Sequence, residues 1–178
     1  MKRNLLFTPL FSAAVFLAAC GGNQTAQEQA DTAVTQAAAV PPSGITFKET
    51  ALNALWPKYE NLQKALAADD QKAAQTAAGE LSSALDNAPG NEKLAAATKV
   101  IATETEIKKQ RKLFAEVSTT LIAQVKKSGL ASGTLYLQNC PMYAGGKGGD
   151  WLSADKEIKN PYYGSEMLEC GSVKETLK

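Results

Sequence analysis

Two short clusters, thirty residues apart, carry most of the sulfur chemistry of this 178-residue chain. Residues 140–142 read Cys-Pro-Met and residues 167–170 read Met-Leu-Glu-Cys. Thiolates and thioethers are soft ligands, and together they favour Cu(I) over harder ions. Met167 and Cys170 would face the same way on a turn of helix, and Pro141 would stiffen the turn that holds its two neighbours. The clusters therefore predict a four-sulfur site made of Cys140, Met142, Met167 and Cys170.

The third cysteine, Cys20, ends the run Leu-Ala-Ala-Cys behind a basic N-terminus. The apolar segment 5–19 is shorter than the roughly 20 residues that span a bilayer, and its pattern is that of a secretory signal. A cut directly before a cysteine resembles the bacterial lipoprotein class. Residues 1–19 would then be the signal peptide, and Cys20 would carry lipid on a bacterial membrane, facing the periplasm or the cell surface. The alternative is an ordinary signal peptide followed by an unrelated cysteine.

If the protein is exported to an oxidising compartment, Cys140 and Cys170 have a second interpretation, as a disulfide. Cysteine pairs in oxidising compartments usually form disulfides, so the two could be bonded while both methionines pack in a small core. The residues alone favour this disulfide over the metal site.

Composition excludes several functions. The chain has no His, which removes Ser-His-Asp and Cys-His catalysis and His-ligated zinc enzymes. With 19 basic and 18 acidic residues, the chain has no bulk charge to attract nucleic acid. No carboxylate pair has a spacing that calls for acid–base catalysis. We therefore expect a protein that is not an enzyme and has no nucleic-acid partner.

The chain divides into four parts by composition. Residues 1–19 form the signal peptide, and residues 20–44 form a lipidated, disordered tether without large apolar residues. Residues 45–129 have helical periodicity, and residues 130–178 form a small, irregular C-terminal lobe packed on the helices. The fold class is mainly α, an antiparallel bundle of three to four helices.

Local signals place the helix ends. Pro57 should kink the first helix or divide it at Trp56. Asp69 or Asp70 can cap the second helix, and Asn91 can cap the third.

The fourth helix should begin at a capping box formed by Thr103 and Glu106, carry Phe114 and Leu121 in the core, and end at Gly129. Alternatively, the third and fourth helices are one. Beyond them, residues 134–138 alternate like a strand, and a short helical turn should follow Ser153.

Three aromatic residues of the C-terminal lobe, Trp151, Tyr162 and Tyr163, are better explained as its core than as a cation-binding box. Arg111 on the fourth helix has two interpretations. Its side chain either holds the C-terminal lobe to the helical bundle by pairing with Asp150 or Glu169, or is a solvated charge.

Residues 137–173 resemble a family of bacterial exported proteins of undefined function. The shared pattern is Cys-Pro-Met, Gly-x-x-Trp-Leu, then Asn-Pro-Tyr-x-Gly-x-x-Met-Leu-x-Cys-Gly. Residues 110–118 also resemble the family's Gln-Arg-x-x-Phe-x-x-x-Ser stretch. The resemblance implies a helical domain that occurs as a lipoprotein or fused to periplasmic adaptors of heavy-metal efflux pumps.

Separately, Cys-Pro-Met is similar to the core of the short heavy-metal-binding domain on copper and silver efflux adaptors. That domain continues with His-Pro, whereas Tyr143-Ala144 follows here. With the resemblance, we expect a lipid-anchored protein that binds Cu(I) for sequestration or hand-off to efflux components. The alternative is a structural or partner-docking lipoprotein closed by a Cys140–Cys170 disulfide.

Overall fold

The computed structural model describes residues 43–86 and 90–178. The predicted signal peptide, the lipidated Cys20 and the tether as far as residue 42 lie outside the described residues. In the part of the chain that is described, no helix is long and apolar enough to cross a membrane.

Four helices dominate the fold, and each packs against the next one in sequence. Their bounds are α1 (Thr50–Ala67), α2 (Gln71–Leu85), α3 (Glu92–Ile101) and α4 (Ile107–Ser128). The predicted class, mainly α with a helical bundle, is confirmed. Because residues 102–106 separate α3 from α4, the alternative of one long helix is wrong.

Helix α1 runs unbroken through Pro57, so the predicted division at Trp56 is wrong. A proline inside a helix costs about 3 kcal/mol or more. Here the flanking residues Trp56 and Tyr59 are fully buried in the core. Burial of two large aromatic side chains on either side of Pro57 outweighs that local cost.

The predicted cap of α2 is confirmed, because Asp70 Oδ1 accepts a hydrogen bond from the Ala73 N–H at 2.8 Å. Asn91 occupies the N-cap position of α3, but its side chain makes no capping bond. Its Oδ1 instead accepts a hydrogen bond from Gln124 of α4. The side chain thereby joins two helices.

The ends of α4 differ in how well the sequence predicts them. The capping box is absent: the Thr103 hydroxyl donates to the Val100 carbonyl at 3.3 Å, and Glu106 occupies the N-cap position without a side-chain capping bond. The helix therefore begins at Ile107. Its predicted end is confirmed at Gly129, whose φ of 76° lies in the region that favours glycine.

The C-terminal part contains more strand than predicted. The strand β3 (Leu135–Cys140) lies between β4 (Gly149–Ser153) and β5 (Ser172–Leu177) in an antiparallel sheet. A second, smaller ribbon pairs β1 (Thr46–Phe47) with β2 (Leu130–Ser132). The remaining short elements are a four-residue helical turn, α5 (Tyr143–Gly146), and a 3₁₀ turn, Gly164–Glu166.

The predicted strand over residues 134–138 is confirmed as β3, which continues two residues further. The predicted helical turn after Ser153 is wrong, because residues 154–157 form bends. Three carbonyls of those bends, at residues 155, 156 and 157, accept hydrogen bonds from Gln138 Nε2. With their carbonyls turned toward β3, these residues cannot form helical bonds.

One aromatic chain connects the helices to the sheet. Tyr59 stacks on Phe114 at 5.5 Å, and Phe114 contacts Tyr162 at 5.7 Å between ring centroids. Tyr162 in turn meets the edge of Trp151. Trp151 and Tyr162 are buried, which matches their interpretation as core residues.

Tyr59 also links three elements through its hydroxyl. It bonds Ser118 of α4 at 2.8 Å and accepts the Leu152 N–H of β4 at 3.1 Å. Burial raises the pKa of Tyr59 well above its usual value. The phenol therefore stays neutral and serves as a hydrogen-bonding bridge in the core.

Candidate functional site

The two cysteines of the clusters meet at one end of the sheet. Asn139 of β3 pairs with Ser172 of β5, so the chain just before β5 lies beside the end of β3. This pairing brings Cys170 Sγ to 3.8 Å from Cys140 Sγ. Cys140 is fully buried, Cys170 is half-buried, and both are free thiols.

The surroundings of the pair disfavour a free thiolate at Cys170. Desolvation, the hydrogen bond with Cys140 and the charge that Cys140 would carry all raise the pKa of the Cys170 thiol. A process that removes the proton and supplies a partner for the sulfur avoids this penalty. Metal binding does so, because ligation deprotonates thiols, and disulfide formation does so as well.

The two methionines of the clusters lie on the surface. Met142 is 55% exposed and Met167 is 42% exposed, so neither packs in the small core that the disulfide interpretation assigned to them. The large apolar side chains exposed in the described residues are Val100, Met142, Met167 and Leu168. Three of these four lie within three residues of Cys140 or Cys170 in the sequence.

Hydrogen bonds fix the backbone around each of the two methionines. The Tyr163 hydroxyl donates to the Met142 carbonyl at 3.1 Å. The Met167 N–H donates to the Gly164 carbonyl at 3.1 Å, and the Cys170 N–H donates to the Met167 carbonyl at the same distance. Met167 and Cys170 are therefore joined by a turn, but residues 167–170 are not helical, so the predicted helical turn is wrong.

Arg111 joins the C-terminal lobe to the helical bundle, as one of its two interpretations predicts, but the predicted partners Asp150 and Glu169 are wrong. Its guanidinium is buried and donates to Asp69 Oδ1 at 2.5 Å and to the Leu66 carbonyl at 2.8 Å. Its Nε donates to the Pro161 carbonyl at 3.0 Å. The predicted Asp150 instead pairs with Lys174, so the clamp uses a carboxylate from the end of α1.

Asp69 completes the clamp from the other side. Its Oδ2 accepts the Ser165 N–H at 2.8 Å. Hydrogen bonds from Ser165 and the neighbouring Arg111 guanidinium lower the pKa of Asp69 to about 2. The carboxylate is therefore ionised at neutral pH and holds the 3₁₀ turn that immediately precedes Met167.

The described residues offer few further ligands of other kinds. Within residues 43–86 and 90–178, no group of three or more His, Cys, Asp or Glu side chains is placed to hold a metal ion. A metal bound by both cysteines would need its other ligands from thioethers, solvent or a partner.

Comparison with known proteins finds one family match, which covers the helical part of the chain. Residues 55–133 match the family described as "Protein of unknown function (DUF3347)". The predicted resemblance to a family of undefined function is confirmed for these residues, which run from α1 to just beyond β2. Both sulfur clusters lie outside the match. No curated protein and no solved structure matches the chain.

Proposed function

We propose that this protein is a lipid-anchored envelope protein that binds one soft metal ion, Cu(I), for sequestration or for hand-off to efflux components. Cys140 and Cys170 would be the principal ligands, with Met142 and Met167 completing the set. The observation that carries this proposal is the approach of the two free thiols to 3.8 Å.

The sulfur separation suits a shared ion. Two thiolates that each lie about 2.3 Å from a metal are about 3.8 Å apart when the angle at the metal is tetrahedral. A disulfide needs about 2.05 Å. The cysteines therefore need little movement to bind an ion, and must approach by nearly 2 Å to form a bond.

The available donors favour Cu(I) over zinc. Structural zinc sites take four ligands from cysteine, histidine and carboxylate side chains. Beside the two thiols, the sequence clusters contain two thioethers, Met142 and Met167, and one carboxylate, Glu169. Among the described residues, no third Cys, His, Asp or Glu side chain is placed with the cysteines to complete a zinc site, whereas thioethers select Cu(I). The exposure of Met142 and Met167 leaves both free to turn toward an incoming ion. The same exposure would let a partner exchange ligands with the bound metal.

The anchoring part of the proposal rests on the run that ends at Cys20. Replacing Cys20 with serine should remove the protein from the membrane fraction or leave it unprocessed, because serine has no thiol to acylate. Fractionation of cells and mass spectrometry of the N-terminal peptide measure this. Processed and still lipid-anchored Cys20→Ser protein would contradict the assignment.

A structural lipoprotein with a Cys140–Cys170 disulfide is the second candidate. The contact between the two sulfurs favours it, because exported thiols that touch are readily oxidised. The two candidates differ in the thiol content of the purified, metal-loaded protein. Two thiols released on unfolding in a chelator support the metal site, and none supports the disulfide.

The decisive experiment is a competition titration of the reduced protein against a Cu(I) chelator. Wild type should bind one Cu(I), and far more tightly than Zn(II). The double variant Met142→Leu/Met167→Leu should lose at least about tenfold in Cu(I) affinity, because each change removes a thioether ligand. Folding should survive, because leucine and methionine have similar volumes and both sites are exposed.

The matched control is Leu168→Ala, which shortens an exposed apolar side chain of the same turn without removing a sulfur. Its Cu(I) affinity should equal that of wild type. If wild type and the double methionine variant compete equally with the chelator, the methionines are not ligands. If reduced wild type binds no Cu(I), the disulfide candidate takes the place of the copper site.

A further inference from the structure

Asn160 is the first residue of the segment 160–170, which carries the second cluster and which we term the Asn160 loop. The end of this loop folds back and forms hydrogen bonds with Asn160. The Asn160 N–H donates to the Leu168 carbonyl at 2.8 Å, and its side-chain Nδ2 donates to the Cys170 carbonyl at 2.8 Å. Asn160 thus bonds the backbone of Cys170 itself.

The other polar groups of Asn160 close the start of the same loop. Its Oδ1 accepts the Tyr162 N–H at 2.9 Å, and its carbonyl accepts the Gly164 N–H at 3.0 Å. The first of these is an Asx turn, in which the side chain mimics a backbone turn. Asn160 is fully buried, so each of these bonds replaces water that the group cannot reach.

Only an amide meets all of these demands at once. The side chain must accept one hydrogen bond and donate another, and both partners are backbone groups on opposite ends of the loop. Aspartate would present a second acceptor to the Cys170 carbonyl, and serine is too short to reach it. The preceding residue is also fixed, because the Lys159 carbonyl accepts a hydrogen bond from Gln63 of α1 at 2.9 Å.

We infer that Asn160 is the positioning residue of the sulfur site: by bonding the Cys170 carbonyl, it sets the separation between the Cys170 and Cys140 sulfurs. The biological meaning of this inference rests on the proposed copper function, but the first of its two tests requires no metal. Residues of this kind, which orient a ligand without touching the metal, typically change metal affinity by 10–100-fold when they are replaced.

The test variant is Asn160→Ser, which keeps a weaker form of the turn with Tyr162 and loses the bond to Cys170. The matched control is Asn53→Ser in the first turn of α1. Asn53 also accepts one backbone N–H and donates to one carbonyl, both of Phe47. Each change removes an amide that bridges a backbone N–H and a backbone carbonyl, but only Asn160 contacts a cysteine.

The first readout requires no metal. In a glutathione buffer, one glutathione disulfide oxidises the two protein thiols to a disulfide and is itself reduced to two glutathione thiols. Asn160→Ser should change the equilibrium constant of this exchange at least tenfold, which is about 30 mV in reduction potential, because the separation of the two sulfurs is no longer fixed. Asn53→Ser should change it less than threefold. A merely structural role leaves this potential unchanged as long as the protein is folded.

The second readout is the Cu(I) competition titration, in which Asn160→Ser should lose 10–100-fold in affinity. If wild type binds no Cu(I) but the thiol equilibrium shifts, the copper proposal fails and the positioning role stands. If the potential and the affinity both stay within threefold of wild type, the positioning role is overturned and the copper site stands.

Circular dichroism checks that each variant is folded before the titrations. Asn160→Asp serves as a second variant, because aspartate keeps the acceptor of the Asx turn and replaces the donor to Cys170 with a second acceptor. If neither Asn160 variant folds while Asn53→Ser does, Asn160 is a folding residue, and the inference is overturned.

Discussion

Replacing Phe114 with alanine should lower the free energy of unfolding by about 3–5 kcal/mol, the usual range for truncating a buried aromatic side chain. Phe114 is fully buried on α4. Its ring contacts Tyr59 of α1 on one side and Tyr162 of the Asn160 loop on the other. The cavity left by the truncation would therefore open between the helices and the C-terminal part, where neither side can close it alone.

Urea unfolding of the reduced protein, followed by circular dichroism, measures this loss. Lys112→Ala is the matched control, since Lys112 is exposed on the same helix two residues away, and surface changes usually stay within about 0.5 kcal/mol. A loss of less than about 0.5 kcal/mol for Phe114→Ala would place this side chain outside the core.

The sequence predicts α4 well because its signal is local. The apolar stripe Phe114, Val117, Leu121 and Val125 repeats at helical spacing, and all four side chains are buried. The sheet is harder to predict. Strand β5 is mostly exposed and reads Ser-Val-Lys-Glu-Thr-Leu, so it lacks the apolar alternation that marks a strand. Its pairing with β3 joins Leu135 to Leu177 and Asn139 to Ser172, positions far apart in the sequence, and no local pattern encodes that.

The same distinction applies to the candidate site. The two cysteines could be proposed as a pair, because they are the cysteines beyond the lipid-type motif. The partner of Arg111 could not be predicted, because Asp69 is 42 residues away and also fits a helix cap. Asn160 carried a signal that sequence reasoning did not use. An Asn-Pro pair is typical of a turn, whereas here the buried Asn160 amide organises the following ten residues.

Replacing Gly164 with alanine should have the second-largest effect, a loss of about 2–5 kcal/mol in the free energy of unfolding. Gly164 has a φ of 59°, where a side chain costs about 1–2 kcal/mol. A Cβ built there would also overlap Arg111 Nη2 and Asp69 Oδ1, with both atoms less than 2.5 Å away. Overpacking of this kind typically costs a further 1–3 kcal/mol.

Gly145→Ala separates these two contributions. Gly145 has a similar φ of 69°, but a Cβ there has no atom within 4 Å, so this variant should lose only the backbone part, about 1–2 kcal/mol. The difference between the variants in urea unfolding measures how tightly the Arg111–Asp69 pair fills the space beside the 3₁₀ turn. Equal losses of unfolding free energy for the two glycine variants would mean that the Arg111 and Asp69 side chains move aside at no energetic cost and do not hold the turn in place. A larger loss at Gly164 would mean that the clamp fixes the segment leading to Met167 before any metal arrives.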